Sequence, residues 1–192
     1  VYDTEGLYSA ARVWWTFRTM GHGNAAVLNG GLKKWKAEGR PVTDEPPAPR
    51  TPRHFTPRFN GALVKDWQDV KSLIGHKSTQ IVDARAAGRF AGTAPEPRKG
   101  LRSGHIPSSK SLPFTMLLNA DGTLKSVAEL RAVFDKAGIA IDRPVVASCG
   151  SGVTAGVIAF ALAQLGNVDA AVYDGSWSEW GAREDLPIAT GA

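Results

Sequence analysis

Cys149 is the only cysteine of the chain, and it stands in Cys149-Gly150-Ser151-Gly152-Val153-Thr154. Pro144-Val145-Val146-Ala147 before it reads as a buried strand, and apolar Ile158, Leu162 and Leu165 after it fall at helical spacing. Strand, glycine-containing loop and helix in that order put the sulfur at the carboxyl end of a strand and the amino end of a helix. Unpaired N–H groups and a partial positive charge there favour a thiolate, which is the nucleophilic form. Gly150 and Gly152 lack a Cβ, so the loop is expected to curl with several N–H groups aimed at the sulfur or at a bound anion. Ser151 adds a hydroxyl able to donate to sulfur or to substrate. On these local features alone the thiol fits two descriptions equally, a reactive nucleophile and a small buried apolar side chain.

The remaining candidates for chemistry are few. His22, His54, His76 and His105 are dispersed, and none is spaced as a ligand pair with Cys149, so no metal site is expected. His105 reads as a structural histidine. Arg85, Lys99 and Arg102 are expected to be ordinary surface charges.

The elements that must hold this loop recur. At an offset of 145 residues, Ala10, Gly21, Ala25, Ala26, Val27, Gly30 and Trp35 match Ala155, Gly166, Ala170, Ala171, Val172, Gly175 and Trp180. Both copies read as helix, strand, turn and short helix, with Gly21 and Gly166 as left-handed helix stops. Upstream, the second copy is complete. Asp66 caps a helix to about Leu73, Gln80-Ile81-Val82-Asp83 and Lys110-Ser111-Leu112-Pro113 are strands, and Ser126 with Glu129 forms a capping box for a helix ending at Lys136. Strands alternating with helices predict an α/β fold around a parallel sheet.

The first copy begins at the position equivalent to Val146, so roughly 85 to 90 residues of a whole repeat are expected to lie upstream of Val1. Thr4 aligns with Cys149, and that copy therefore lacks a nucleophile. Val13, Trp14, Trp15 and Phe17 are expected to form an apolar face awaiting the absent segment. The organisation predicted is a partial copy over 1–40, a proline-rich linker over 41–58 that is too rich in proline for helix or sheet, and a complete copy over 59–192.

Composition narrows the function classes. Hydrophobic residues make up 43% of 192, enough for a buried core, and no apolar run approaches the roughly 20 residues of a membrane helix. One cysteine allows no intramolecular disulfide, which points to a reducing, cytoplasmic setting. Lys and Arg outnumber Asp and Glu by 23 to 18, for a net charge of +5, but they form no basic run. A small anionic ligand fits that scatter better than a nucleic acid does.

The chain resembles the two-domain sulfurtransferases of the rhodanese superfamily. The loop Cys149 to Ala155 is similar to that of 3-mercaptopyruvate sulfurtransferases, whereas thiosulfate rhodaneses carry a basic pair where Gly150 and Ser151 stand. Asp83-Ala84-Arg85, Gly88-Arg89-Phe90, Pro95-Glu96-Pro97-Arg98, Gly104-His105-Ile106-Pro107 and Asp174-Gly175-Ser176-Trp177 follow in family order. The resemblance implies a rhodanese-like parallel sheet flanked by helices on both faces, with a partial second copy at the N-terminus. It also implies sulfur transfer through a Cys149 persulfide, with Ser151 assisting, and no cofactor beyond that covalent intermediate. Arg89 and Arg98 would grip the donor's carboxylate, and the loop residues Gly150, Gly152, Val153 and Thr154 would line its site.

The implied partners are a small anionic sulfur donor, a thiol acceptor such as thioredoxin, and the upstream segment, which in mercaptopyruvate enzymes lends an acidic residue and a histidine to the cleft. Cysteine phosphatases share the loop shape but need an arginine six positions after the cysteine, where this chain has Ala155. Two further readings stand beside the first: thiosulfate as donor, and a non-catalytic rhodanese-like module that docks proteins.

Overall fold

The computed structural model describes residues 1–191. Five strands, all parallel, pair in the order β1-β5-β4-β2-β3, where β1 is Val64–Lys65, β2 Gln80–Asp83, β3 Lys110–Ser111, β4 Val145–Ser148 and β5 Ala171–Tyr173. Every position of β2, β4 and β5 is buried, as expected of strands covered on both faces. Alternation along each strand feeds two cores. Val82, Val145, Ala147 and Val172 point into one, with Leu130 and Phe134 of α5 (Val127–Lys136) and most of α6 (Ala155–Gln164). Ile81, Val146, Ala171 and Tyr173 point into the other, against Val70 of α3 (Trp67–Leu73) and Trp177 and Trp180 of α7 (Ser176–Trp180).

The chain has read its own caps. Ser126 and Glu129 close the expected capping box on α5, and Asp66 caps α3 with Asp69 completing a second box. Gly21 (φ +83°) and Gly166 (φ +95°) end α1 (Ala10–Thr19) and α6 in the left-handed conformation that favours glycine. A short α4 (Ala87–Ala91) follows β2, and α2 (Gly31–Ala37) follows α1.

One expectation fails. The apolar run before Asn29-Gly30 forms no strand in the first copy, although its counterpart is β5. The Val1 ammonium donates to the Ala26 carbonyl at 2.7 Å and Leu28 N–H to the Val1 carbonyl at 2.8 Å, the register of Val146 and Ala171 between β4 and β5. A strand needs a neighbour along its length to satisfy its amides, and here the neighbour is a single rung.

The expected apolar face of α1 is half right. Trp14 and Trp15 are buried: Trp14 packs edge-on against Phe160 of α6 at 5.0 Å, and Trp15 Nε1 donates to the Leu63 carbonyl at 3.2 Å. Helices α1 and α6 approach so closely that a Cβ on Gly156 would stand 2.9 Å from Arg12 N and Cα. Val13, Phe17 and Met20 remain exposed, with Phe55 beside them. Residues 40–60 carry neither helix nor strand, and are tied down at their far end by Arg58 N–H to Met20 and Asn60 N–H to Thr19.

The first copy's loop wraps around a carboxylate, that of Asp3, which aligns with Ser148. The Asp3 carboxylate accepts N–H bonds from Glu5, Gly6, Tyr8 and Ala10 at 2.8 to 3.0 Å. Burial would raise the pKa of this carboxyl, but the four N–H groups together outweigh it and hold the pKa below its ordinary value. The stabilisation is therefore complete above about pH 4 and is lost as pH falls through the lower folded value. In Asp3→Asn one oxygen becomes an NH2 facing N–H donors, so stability at neutral pH should drop by roughly 1 to 2 kcal/mol. The gap should close on acidification. Urea melts at pH 7 and pH 3 check it, and a gap that widens at pH 3 contradicts the assignment.

Candidate active site

The loop leaves β4 at Ser148 and enters α6 at Ala155, as the strand–loop–helix reading required. Cys149 is 2% exposed, yet its side chain lines a cavity of about 420 Å³ together with Gly150, Ser151, Val153, Thr154, Arg89 and Arg98. The small-apolar description of this thiol is thus incomplete, because one side of it faces a polar cleft. Ser151 N–H points at Cys149 Sγ at 3.4 Å. It is the one loop amide bonded to the sulfur among the described residues, where several were expected. Among the described residues the Ser151 hydroxyl donates to neither sulfur nor backbone.

Gly152 is turned away from the cavity. Its backbone sits at φ +77°, its N–H donates to Ser176 Oγ at 3.1 Å, and a Cβ there would stand 2.8 Å from the Asp174 carbonyl oxygen. The expectation that it touches substrate is corrected: it shapes the loop.

Ser176 and Ser178, to which the sequence assigned no role, support the loop from behind. Ser176 Oγ accepts from Cys149 N–H and Gly152 N–H, donates to the Tyr173 carbonyl at 2.8 Å, and lies 4.0 Å from Sγ. At φ +49° it holds a conformation uncommon for a serine, and being buried it has no slack. Trp177 N–H and Ser178 N–H donate to the Cys149 and Gly150 carbonyls, both at 2.9 Å. The signal was the Asp174-Gly175-Ser176-Trp177 motif, whose serine looks like a turn residue until the strands are paired.

Arg89 and Arg98 both reach the cavity. Arg89 bonds Glu96 through Nη2 at 2.6 Å and Nε at 3.2 Å, which leaves Nη1 for a ligand. Its Nη2 also occupies the space beside Gly150, 3.0 Å from where a Cβ would be. Arg98 Nη1 donates to Ser178 Oγ at 2.8 Å, and that hydroxyl donates to the Gly150 carbonyl at 2.5 Å. Tyr8 from the first copy and Phe114 form an edge-on aromatic wall at 5.7 Å. Neither aromatic was singled out, because nothing local distinguishes them from core residues.

Of the charges expected at the surface, Arg85 is buried and Arg102 half-buried. Arg85 is 2% exposed, paired with Asp83 and Glu96, stacked 4.2 Å over Trp177, and part of the cavity wall. Arg102 donates to the carbonyls of Gly181, Trp180, Leu186 and Arg183 and so braces the α7 end. Lys99 is exposed as expected. His105 stacks on Phe90 at 3.8 Å and bonds its carbonyl through Nδ1, outside the cavity lining.

Among known proteins, the description "Rhodanese-like domain" matches residues 66–183. The chain is 43% identical to the Arabidopsis thaliana mitochondrial thiosulfate/3-mercaptopyruvate sulfurtransferase 1, over 98% of its own length and 55% of that protein. It is 48% identical to the Rattus norvegicus thiosulfate sulfurtransferase, over 94% of its length and 61% of that protein. The chain thus spans little more than half the length of these relatives. The crystal structure of SseA from Escherichia coli, described as a rhodanese fold of 3-mercaptopyruvate sulfotransferases, superposes with a TM-score of 0.77 at 40% identity, covering 93% of this chain and 66% of that one.

Proposed function

Because the chain belongs to the Rhodanese-like family, we propose that it carries out sulfur transfer from 3-mercaptopyruvate to a thiol or cyanide acceptor through a Cys149 persulfide. The observation that carries this reading is the meeting of Cys149, Arg89 and Arg98 in one cavity at the mouth of a parallel sheet. In the first step the Cys149 thiolate attacks the donor's sulfur and the S–C bond breaks. Its electron pair leaves on carbon as the pyruvate enolate, which takes the thiol proton and departs as pyruvate. In the second step the acceptor attacks the outer sulfur and the S–S pair returns to Cys149. Arg89 Nη1 and Arg98 hold the donor's carboxylate and ketone oxygens, and the N–H of Ser151 sits against the sulfur. Ser151 Oγ and the backbone of Gly150, Val153 and Thr154 line the donor. The scheme uses no metal or organic cofactor.

Mercaptopyruvate is preferred over thiosulfate for a steric reason. A basic side chain at position 150, as in the thiosulfate rhodaneses, would enter space that Arg89 already fills. A guanidinium held by Glu96 is a better carboxylate partner than a dianion site. The relatives are named for both donors, so the comparison must be made on this protein. With cyanide as acceptor, kcat/KM for mercaptopyruvate should exceed that for thiosulfate by about tenfold or more, and Arg89→Met should cut the mercaptopyruvate value by about tenfold. Equal efficiency with both donors defeats the preference. A protein-docking module without turnover is the reading left if neither donor is consumed.

The proposal extends to the whole protein. Residues 1–40 are read as the end of an inactive copy, 41–58 as the linker and 59–192 as the sulfur-carrying copy. An upstream segment would cover Val13, Phe17 and Met20, and thioredoxin or a similar small dithiol would collect the sulfur. A reducing compartment such as the cytoplasm suits the lone thiol, although one relative is named as mitochondrial. A monodisperse 20.4 kDa species, stable without a companion chain, would remove the covering segment.

A further inference from the structure

Arg12 lies in α1, outside the copy that carries the sulfur, yet its guanidinium ends on the sulfur loop. Nη1 donates to the Gly152 carbonyl at 3.2 Å and is ion-paired with the Asp174 carboxylate, while the group as a whole lies 4.5 Å over the Trp15 ring. Asp174 opens the turn that delivers Ser176, whose Oγ accepts the N–H groups of Cys149 and Gly152. One side chain thus joins the loop to the turn behind it. A Cβ on Gly152 would stand 2.6 Å from Arg12 Nη1, so no larger residue fits between them. The residue equivalent to Arg12 in the second copy is Val157, which is buried in α6. Only the first copy offers the guanidinium.

We propose that Arg12 is a positioning residue for sulfur transfer, supplied to the Cys149 loop by the nucleophile-free copy. The proposal rests on the sulfur-transfer reading above. The peptide between Gly152 and Val153 is trans and planar, so drawing its carbonyl to Arg12 turns the Val153 N–H the opposite way. Val153 lines the cavity and Arg12 does not. That N–H has no hydrogen-bond partner among the described residues. During transfer the negative charge moves from Cys149 Sγ to the outer sulfur, about 2 Å further out. A preoriented N–H at the rim serves a charge that arrives only then.

The Arg12–Asp174 pair is 26% and 50% exposed, so its contribution to stability is small and its effect is geometric. That separates it from a merely structural arginine. In the chain as it stands, Arg12→Met should lower kcat for mercaptopyruvate about tenfold to a hundredfold while KM stays within about threefold and the melting temperature moves by only a few degrees. Alkylation of Cys149 by iodoacetamide at fixed pH should also change, by at least about threefold, since the loop relaxes. Arg12→Lys should recover part of both, and Arg18→Met on the same helix should alter neither. Parental kcat and parental alkylation in Arg12→Met overturn the proposal. If the parent turns over neither donor, the sulfur-transfer reading falls by itself, and the alkylation rates alone decide on Arg12, equal rates refuting it.

Discussion

Cys149→Ser should abolish sulfur transfer from both mercaptopyruvate and thiosulfate, by at least about a thousandfold, which corresponds to more than 4 kcal/mol of lost transition-state stabilisation. The hydroxyl replaces the sulfur with little change of shape and can still accept the Ser151 N–H that now points at Sγ. It cannot form a persulfide. Burial of a hydroxyl where a thiol sat 2% exposed costs about 1 to 2 kcal/mol, small enough for the variant to fold. Two measurements check the chemistry. Pyruvate release with cyanide should fall to background, and the one-sulfur adduct of about 32 Da that the parent acquires from donor alone should be absent from the variant. Undiminished pyruvate release would mean that the sulfur never passes through this residue.

How far such a reading could be taken from residues alone is set by sequence distance. The nucleophile loop, its strand and its helix are contiguous, so their order places Cys149 at the sheet's carboxyl edge without a structure. Arg89 and Arg98 were reached only through resemblance, since nothing in their own spacing shows that they face residue 150. The supports were not legible. Ser176 and Ser178 meet the loop through the pairing of β4 with β5, Arg12 reaches it across the α1–α6 contact, and Tyr8 reaches the cavity wall beside Phe114, the last two from more than a hundred residues away. The missing first-copy strand has a similar cause: its apolar pattern matches β5, but a strand is made by its neighbour as much as by its own residues. Gly152 shows the opposite error. A glycine in an anion-binding loop reads as a contact for the anion, whereas here its missing Cβ makes room for a guanidinium on the far side.

Arg85 lies furthest from its expected place at the surface, and the consequence is large. Exposed arginines are the common case, and nothing local to Arg85 signals that it is buried in the cavity wall. Its Nε and Nη2 grip Asp83 at 2.7 to 3.1 Å, Nη2 also reaches the Gly104 carbonyl at 2.8 Å, and Nη1 reaches Glu96 at 2.8 Å. The side chains of Asp83 and Glu96 are each 2% exposed. Arg85→Met keeps the apolar stem but strands a buried carboxylate on Asp83 and half-releases another on Glu96, at a cost of about 3 to 5 kcal/mol. For a chain of this size that is a fall in melting temperature of roughly 6 to 20 °C. Arg85→Lys should rescue little, because one ammonium cannot serve two carboxylates and a carbonyl in the planar fork's directions. Arg85→Met with Asp83→Asn should recover part of the loss, since the stranded charge is then gone. The damage should also reach the cleft: Glu96 released from Arg85 has only Arg89 left to neutralise it, and a guanidinium drawn further toward Glu96 is drawn away from the donor. KM for mercaptopyruvate should therefore rise in Arg85→Met even at temperatures where the protein is fully folded. An Arg85→Met protein that melts within about 2 °C of the parent would show that the buried ion network is dispensable and that the loop's floor is held by packing alone.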